Sequence, residues 1–156
     1  MLQFSLFSLP FTEATIREIM RFETIIPSSV PHRSLVDTQF SGYDIPKDTI
    51  MLAGLISLHS DEQIWKDPEN FRPERFLDMH KKLSVKIDVS LPFGAGRRLC
   101  AGETFSRNTM FMCITALLQN FTPKLPENVN LQDLLQETDC GSVRMPKDFW
   151  IKLETR

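Results

Sequence analysis

The stretch Phe93-Gly94-Ala95-Gly96-Arg97-Arg98-Leu99-Cys100-Ala101-Gly102 decides how this chain is read. Its glycines, Gly94, Gly96 and Gly102, let the backbone turn sharply and approach a flat partner closely, because glycine tolerates positive φ and has no Cβ to clash. Cys100 falls where a helical pattern starts, and the unpaired N–H groups of a first helical turn favour negative charge there. A cysteine in that position serves as a metal ligand or as a nucleophile.

Downstream, residues 101–119 place Phe105, Met112, Ala116 and Leu117 on one stripe, with Met110, Phe111, Ile114 and Leu118 around it. That pattern predicts a buried helix, with Cys113 as a small buried hydrophobe. Beyond Pro123 and Pro126 the chain reads as loop to about Gly141. Phe149 to Glu154 then alternates as a terminal strand, half of a hairpin opening near Cys140 to Ser142.

Upstream lies a proline-rich segment, Asp67-Pro68-Glu69-Asn70-Phe71-Arg72-Pro73-Glu74-Arg75-Phe76. Local rules make it a loop. Its aromatics and charges need pinning from outside if it is ordered. Met79 to Val89, with Lys81, Lys82 and Lys86, reads as a solvated connector. Before these, Ser60 and Gln63 form a capping box for a short helix through Trp65.

Residues Ser29 to Ile56 are β-prone and broken by turn signals, which predicts a small antiparallel sheet. Its strands are Val30 to Val36 and Thr49 to Ile56, with turns near Ser41-Gly42 and at Pro46-Lys47-Asp48. His32 stands at the start of the first strand, where a lone histidine is usually a structural group. Earlier still, Thr12 caps a helix from Glu13 to Phe22, with Phe11 and Ile16 as a hydrophobic staple. On it Glu18 and Arg21 share a face, as do Glu13 and Arg17. By themselves these are solvated pairs worth about 0.3–0.5 kcal/mol each.

Composition sets outer limits. The chain has 156 residues, 42% of them apolar, which suffices for one core. A formal charge of -2 and basic runs no longer than two residues leave no footprint for nucleic acid. Three widely spaced cysteines argue against a disulfide scaffold. Met1 to Pro10 is apolar but short, without a basic residue, and makes a poor signal peptide. No run reaches the roughly 20 apolar residues of a transmembrane helix.

The histidines His32, His59 and His80 are scattered and there is no Cys-x-x-Cys, so a closed zinc site has no support. A lone thiolate suits the axial position of a metal already held by a macrocycle, and haem matches that description. Arg98 then lies within reach of a propionate. The competing chemistry, a catalytic cysteine, needs a base beside the thiol, and no local signature of one is present.

The loop Phe93-Gly94-x-Gly96-x-Arg98-x-Cys100-x-Gly102 resembles the haem-binding loop of the cytochrome P-450 superfamily, the haem-thiolate monooxygenases. Two further landmarks follow the family's order. Glu18-x-x-Arg21 resembles its helix K motif, and Pro73-Glu74-Arg75-Phe76 resembles the segment whose arginine completes a Glu-Arg-Arg triad. Pro31-His32-Arg33 and Gly42-Tyr43-x-Ile45-Pro46-Lys47 are most similar to the animal microsomal branch.

The resemblance implies a mainly α fold with small antiparallel β-sheets, in the order helix K, β-sheet, meander, haem-thiolate loop, helix L and terminal hairpin. Cys100 would be the axial ligand of haem iron, its electron push assisting O–O cleavage so that one atom of dioxygen enters a lipophilic small molecule. His32 and Arg98 would meet the propionates, and Phe93, Gly94, Gly96 and Gly102 would shape the cofactor site. Glu18, Arg21 and Arg75 would form a buried structural triad. Ile26, Ser29 and Val30, with Ser142 and Val143, correspond to substrate-contact segments. Electrons would come from NADPH through a flavoprotein reductase docking near Arg97 and Arg107, at the cytoplasmic face of the endoplasmic reticulum membrane.

The resemblance covers residues 9–156 and leaves 1–8 outside it. It corresponds to the carboxy-terminal third of the family, without the membrane anchor or the distal helix that handles dioxygen. The expectation is oxidative chemistry at the level of the family, with the isolated chain inactive. The alternative is a catalytically inactive fragment that binds haem weakly or occupies a redox partner.

Overall fold

The computed structural model describes residues 9–84, 89–127, 129–130 and 138–156. The expectations for Met1 to Ser8, for Lys86 in the charged connector and for the loop over residues 131–137 lie outside these described residues.

Helix α1 runs Pro10–Glu23. It starts ahead of the predicted Thr12 cap because Pro10 occupies its first turn, where a missing N–H costs nothing and φ is already set for a helix. The staple does not form either: Ile16 is buried while Phe11 faces solvent. Thr24, left-handed at φ 42°, ends the helix by donating its N–H to the Met20 carbonyl.

The β-prone region forms two separate ribbons rather than one sheet. Strand β1 (His32–Arg33) pairs antiparallel with β4 (Ile50–Met51), and β2 (Thr38–Phe40) with β3 (Tyr43–Ile45) across the Ser41-Gly42 turn. Both turn residues adopt positive φ, as a tight hairpin requires. The predicted strand Thr49 to Ile56 ends early, and helix α2 (Leu55–His59) takes over. Helical winding there buries Leu55 and His59 while leaving Ser57 between them exposed, whereas an alternating strand would put all three on one face.

Helix α3 (Glu62–Trp65) is capped by Asp61, whose side chain accepts from the Gln63 N–H. Ser60 is not the cap; its hydroxyl donates back to the Ile56 carbonyl. The proline-rich segment closes with a 3₁₀ turn, Pro73–Phe76, which delivers Phe76 to the interior.

Helix α1 supports two cores, one on each side. Ala14 packs with Trp65 and Phe76, and Leu77 and Leu83 close over them. Ile16 and Met20 pack with Phe111 from helix α4 (Glu103–Asn120), joined by Phe93, Met110 and Ile114. The helix after the glycine stretch therefore begins three residues beyond Cys100, not at it. Its packed side is Met110, Phe111 and Ile114 rather than the predicted stripe, and Phe105, Met112 and Cys113 are exposed. Only one face of α4 meets α1, and Phe105 and Met112 on its other faces are largely exposed.

The carboxy-terminal strands pair differently from the predicted hairpin. Strand β8 (Lys152–Thr155) lies antiparallel to β5 (Phe121–Lys124), which continues directly from α4. A separate hairpin joins β6 (Thr138–Cys140) to β7 (Arg144–Pro146). Among the described residues no helix is long and apolar enough to cross a membrane.

Candidate functional site

The buried face of α1 carries charge. Glu18 and Arg21 are fully enclosed, and Arg75 reaches them from the 3₁₀ turn. Arg21 Nε donates to Glu18 Oε2 at 2.8 Å, and Arg75 Nε and the Arg72 backbone N–H donate to Glu18 Oε1 at 3.0 and 2.8 Å. Both guanidinium groups also tie down the irregular meander. Arg21 bonds the carbonyls of His59 and Pro68, and Arg75 those of Trp65, Asp67 and Asn70. These carbonyls belong to no regular ladder, so the arginines supply the donors that secondary structure supplies elsewhere. The Glu13–Arg17 pair, read as solvated, is also largely enclosed, with side-chain exposures of 6% and 13%.

Beside this network the glycine stretch folds as a tight turn. Gly94 and Gly96 adopt φ of 77° and 67°, conformations that a side chain would strain. Residues Gly96–Arg98 make one 3₁₀ turn, after which the Cys100 N–H donates to the Phe93 carbonyl at 2.9 Å. That bond folds the stretch into a lobe with Cys100 exposed on it. The Cys100 carbonyl accepts from the Glu103 N–H and leads into α4.

A cavity of about 510 Å³ opens against this lobe. Phe93, Gly94, Arg98 and Cys100 from the lobe line it, together with Met20, Ile26, Val30 and His32. Its size falls within the range of about 300–1,000 Å³ usual for cofactor and ligand sites. His32 donates from Nδ1 to the Val30 carbonyl at 2.7 Å, since a carbonyl can only accept.

The structure thus brings together Ile26, Val30, His32, Phe93, Gly94, Arg98 and Cys100 from the sequence-derived set. Gly96 and Gly102 shape the turn without lining the cavity. Ser29 is engaged elsewhere, exchanging two hydrogen bonds with Ala53. Ser142 and Val143 occupy the β6–β7 turn, outside the cavity wall. That turn is nonetheless anchored near Ile26: Arg144 donates its N–H to the Ile25 carbonyl and its guanidinium to the Glu23 carbonyl. Arg97 is exposed, whereas Arg107 is not a presented surface cation. It is 15% exposed and engaged with Glu103 and Glu13.

Several lining residues escaped the sequence reading, among them Thr24, Ser106 and His59. His59 is buried, with Nε2 2.6 Å from the Ser90 carbonyl and Nδ1 2.6 Å from Thr24 Oγ1. It joins the end of α1 to the segment entering the glycine turn. Only its neighbour spacing in three dimensions marks it out, because no motif surrounds it.

A flat macrocycle fits this arrangement. The cavity is lined mostly by apolar side chains, a thiol is exposed at the turn, and the turn itself is kept thin by glycines at positive φ. His32 and Arg98 are the lining side chains suited to acidic substituents, whereas the lining His59 and Thr24 are bonded to each other and to backbone carbonyls. One exposed cysteine sulfur is the protein donor that a haem-thiolate centre requires.

The chain belongs to the cytochrome P450 family, whose model, "Cytochrome P450", matches residues 5–153. Among its relatives, Cytochrome P450 2F2 of Rattus norvegicus is 40% identical over 152 residues, covering 96% of this chain and 30% of that protein. Cytochrome P450 2U1 of Homo sapiens is 42% identical over 120 residues, covering 77% of this chain and 22% of the relative. The chain therefore spans less than a third of the length of these curated relatives. They lend no support to the alternative of an inactive fragment. The family and the observed mixture of helices with small antiparallel ribbons agree with the predicted fold class.

Proposed function

We propose that this chain supplies the proximal half of a haem-thiolate monooxygenase, which inserts one oxygen atom from dioxygen into a lipophilic small molecule. The observation that carries the reading is Cys100, exposed on a glycine turn against an apolar cavity of about 510 Å³. When bound, haem supplies the redox chemistry of dioxygen activation.

The chain's own residues do the rest. Cys100 presents a thiolate to the iron, and the Phe93 carbonyl holds the Cys100 backbone through its N–H. Gly94 and Gly96 keep the turn thin enough for a porphyrin face to approach. Arg98 and His32 bind the propionates. The triad of Glu18, Arg21 and Arg75 holds the meander that leads into the turn. Ile26, Val30 and the apolar wall exclude water from the cofactor, while Ser29, Ser142 and Val143 sit on the segments bordering the substrate. Electrons come from NADPH through a flavoprotein reductase approaching the exposed Arg97, and the protein works at the cytoplasmic face of the endoplasmic reticulum membrane.

The test is spectroscopic. The chain is loaded with haem, reduced and exposed to carbon monoxide, and the red-shifted Soret band of a thiolate-ligated complex is expected in wild type and lost in Cys100→Ser. A wild-type spectrum indistinguishable from that of Cys100→Ser sinks the assignment.

A further inference from the structure

Arg107 lies in the second turn of α4 and is held from three directions. Its Nε donates to Glu103 Oε1 at 2.9 Å within α4, and its Nη1 lies 3.7 Å from Glu13 Oε1 on α1. Its guanidinium carbon stands 5.2 Å from the centre of the Phe93 ring. Two atoms of this cluster are buried without a hydrogen bond among the described residues: Arg107 Nη1 and Glu13 Oε2. A buried arginine normally turns its fork to use such donors. Here the Phe93 ring takes precedence, and the carboxylate of Glu13 holds the cation over it at a distance too long for a hydrogen bond.

We propose that Arg107 is a positioning residue for Cys100, acting through Phe93 and held in place by Glu13 and Glu103. The linkage is short. The cation fixes the ring of Phe93, and the carbonyl of the same residue accepts the Cys100 N–H at 2.9 Å. The Phe93 ring also packs against the core of Ile16, Met20 and Phe111, which remains when the charge is removed. Loss of Arg107 therefore loosens the turn without dissolving the fold. Charge on α1 is in this way read out at the thiol.

The proposal deepens the haem-thiolate reading and rests on it for its meaning, but its test needs no haem. The whole haem-free chain is alkylated with iodoacetamide, and modification of each cysteine is followed by peptide mass spectrometry. Cys113, exposed on the same helix, is the internal reference. Arg107→Gln is expected to raise the Cys100 rate relative to Cys113 by roughly fivefold to tenfold, the factor carried by one ordinary cation–π contact. Arg107→Lys, which keeps the charge but loses the flat fork, gives a smaller increase. In a Phe93→Leu background Arg107→Gln adds nothing further. An unchanged ratio overturns the proposal, including one in which both cysteines speed up together through general unfolding. So does an Arg107→Gln effect that persists undiminished without the Phe93 ring.

Discussion

Arg75 Nε meets Glu18 Oε1 at 3.0 Å across 57 positions of chain, and both side chains are almost wholly enclosed. Helix α1 and the proline-rich meander share no ladder of backbone hydrogen bonds. Their attachment is this ion pair, the neighbouring Arg21, and the packing of Phe76 on Ala14 and Trp65.

Removing one member strands buried charge. Glu18→Gln leaves Arg21 and Arg75 facing a neutral amide, and a loss of about 3–5 kcal/mol is expected. Set against a typical domain stability of about 5–15 kcal/mol, that is a large fraction. Urea unfolding followed by circular dichroism measures it. Arg75→Lys should recover little, since one ammonium cannot span the carbonyls of Trp65, Asp67 and Asn70 as the guanidinium does. A loss below about 1 kcal/mol for Glu18→Gln would place this pair with ordinary surface salt bridges.

The glycines of the turn are distinguishable by backbone conformation. Gly94→Ala and Gly96→Ala force a side chain into φ of 77° and 67°, at a cost of about 1–2 kcal/mol each. The cost is conformational, since a Cβ at Gly96 meets nothing within 4 Å and one at Gly94 only the Arg98 carbonyl at 3.9 Å. Gly102→Ala should be nearly silent in the haem-free chain, because φ there is -88° and the new Cβ lies 3.7 Å from Cys100 Sγ, an ordinary contact. Thermal melts of the three variants check the ordering.

His59 binds a carbonyl through Nε2, so that nitrogen carries a proton. His59→Phe fills similar space but leaves the buried Ser90 carbonyl without this donor, at a cost of about 1–3 kcal/mol. His59→Gln, which retains a donor, should lose less. Comparing their melting temperatures separates the hydrogen bond from the packing; equal losses would show that packing alone matters.

Asp78 supplies the pH-dependent feature. The Lys82 backbone N–H, and after it that of His80, hold its carboxyl below the ordinary value of 3.8. A depressed folded-state value stabilises the protein above the unfolded value, and that contribution disappears as pH falls through the folded one. Asp78→Asn should therefore melt below wild type at pH about 6, with the difference closing toward pH about 3. A gap independent of pH would exclude the linkage. Glu154, lowered chiefly by Lys124 and then by Lys152, follows the same sign.

Local chemistry made much of the chain legible. A helix over Glu13 to Phe22 and a turn at Ser41-Gly42 follow from a few adjacent residues, while the helix ends at Pro10 and Thr24 emerged only in the structure. The glycine turn is equally local, and the order of Glu18-x-x-Arg21, Pro73-Glu74-Arg75-Phe76 and the Cys100 loop was enough to point to the family. Packing was less legible. The apolar stripe on α4 does not say which face meets α1, and the terminal strand alternates identically whether its partner is β5 or a hairpin of its own. His59 carried no local signal at all.

By itself, then, the sequence determined the family, the glycine turn and the thiol placed on it, because turn geometry and motif order are properties of neighbouring residues. Tertiary structure alone decided which charges are buried. Glu13 and Glu18 are spaced from their helix-borne partners like any surface pair. What removes them from water is chain far away: the meander around Arg75 and helix α4 bearing Arg107, brought there because burying Phe76 and Phe111 leaves the charged face of α1 nowhere else to lie.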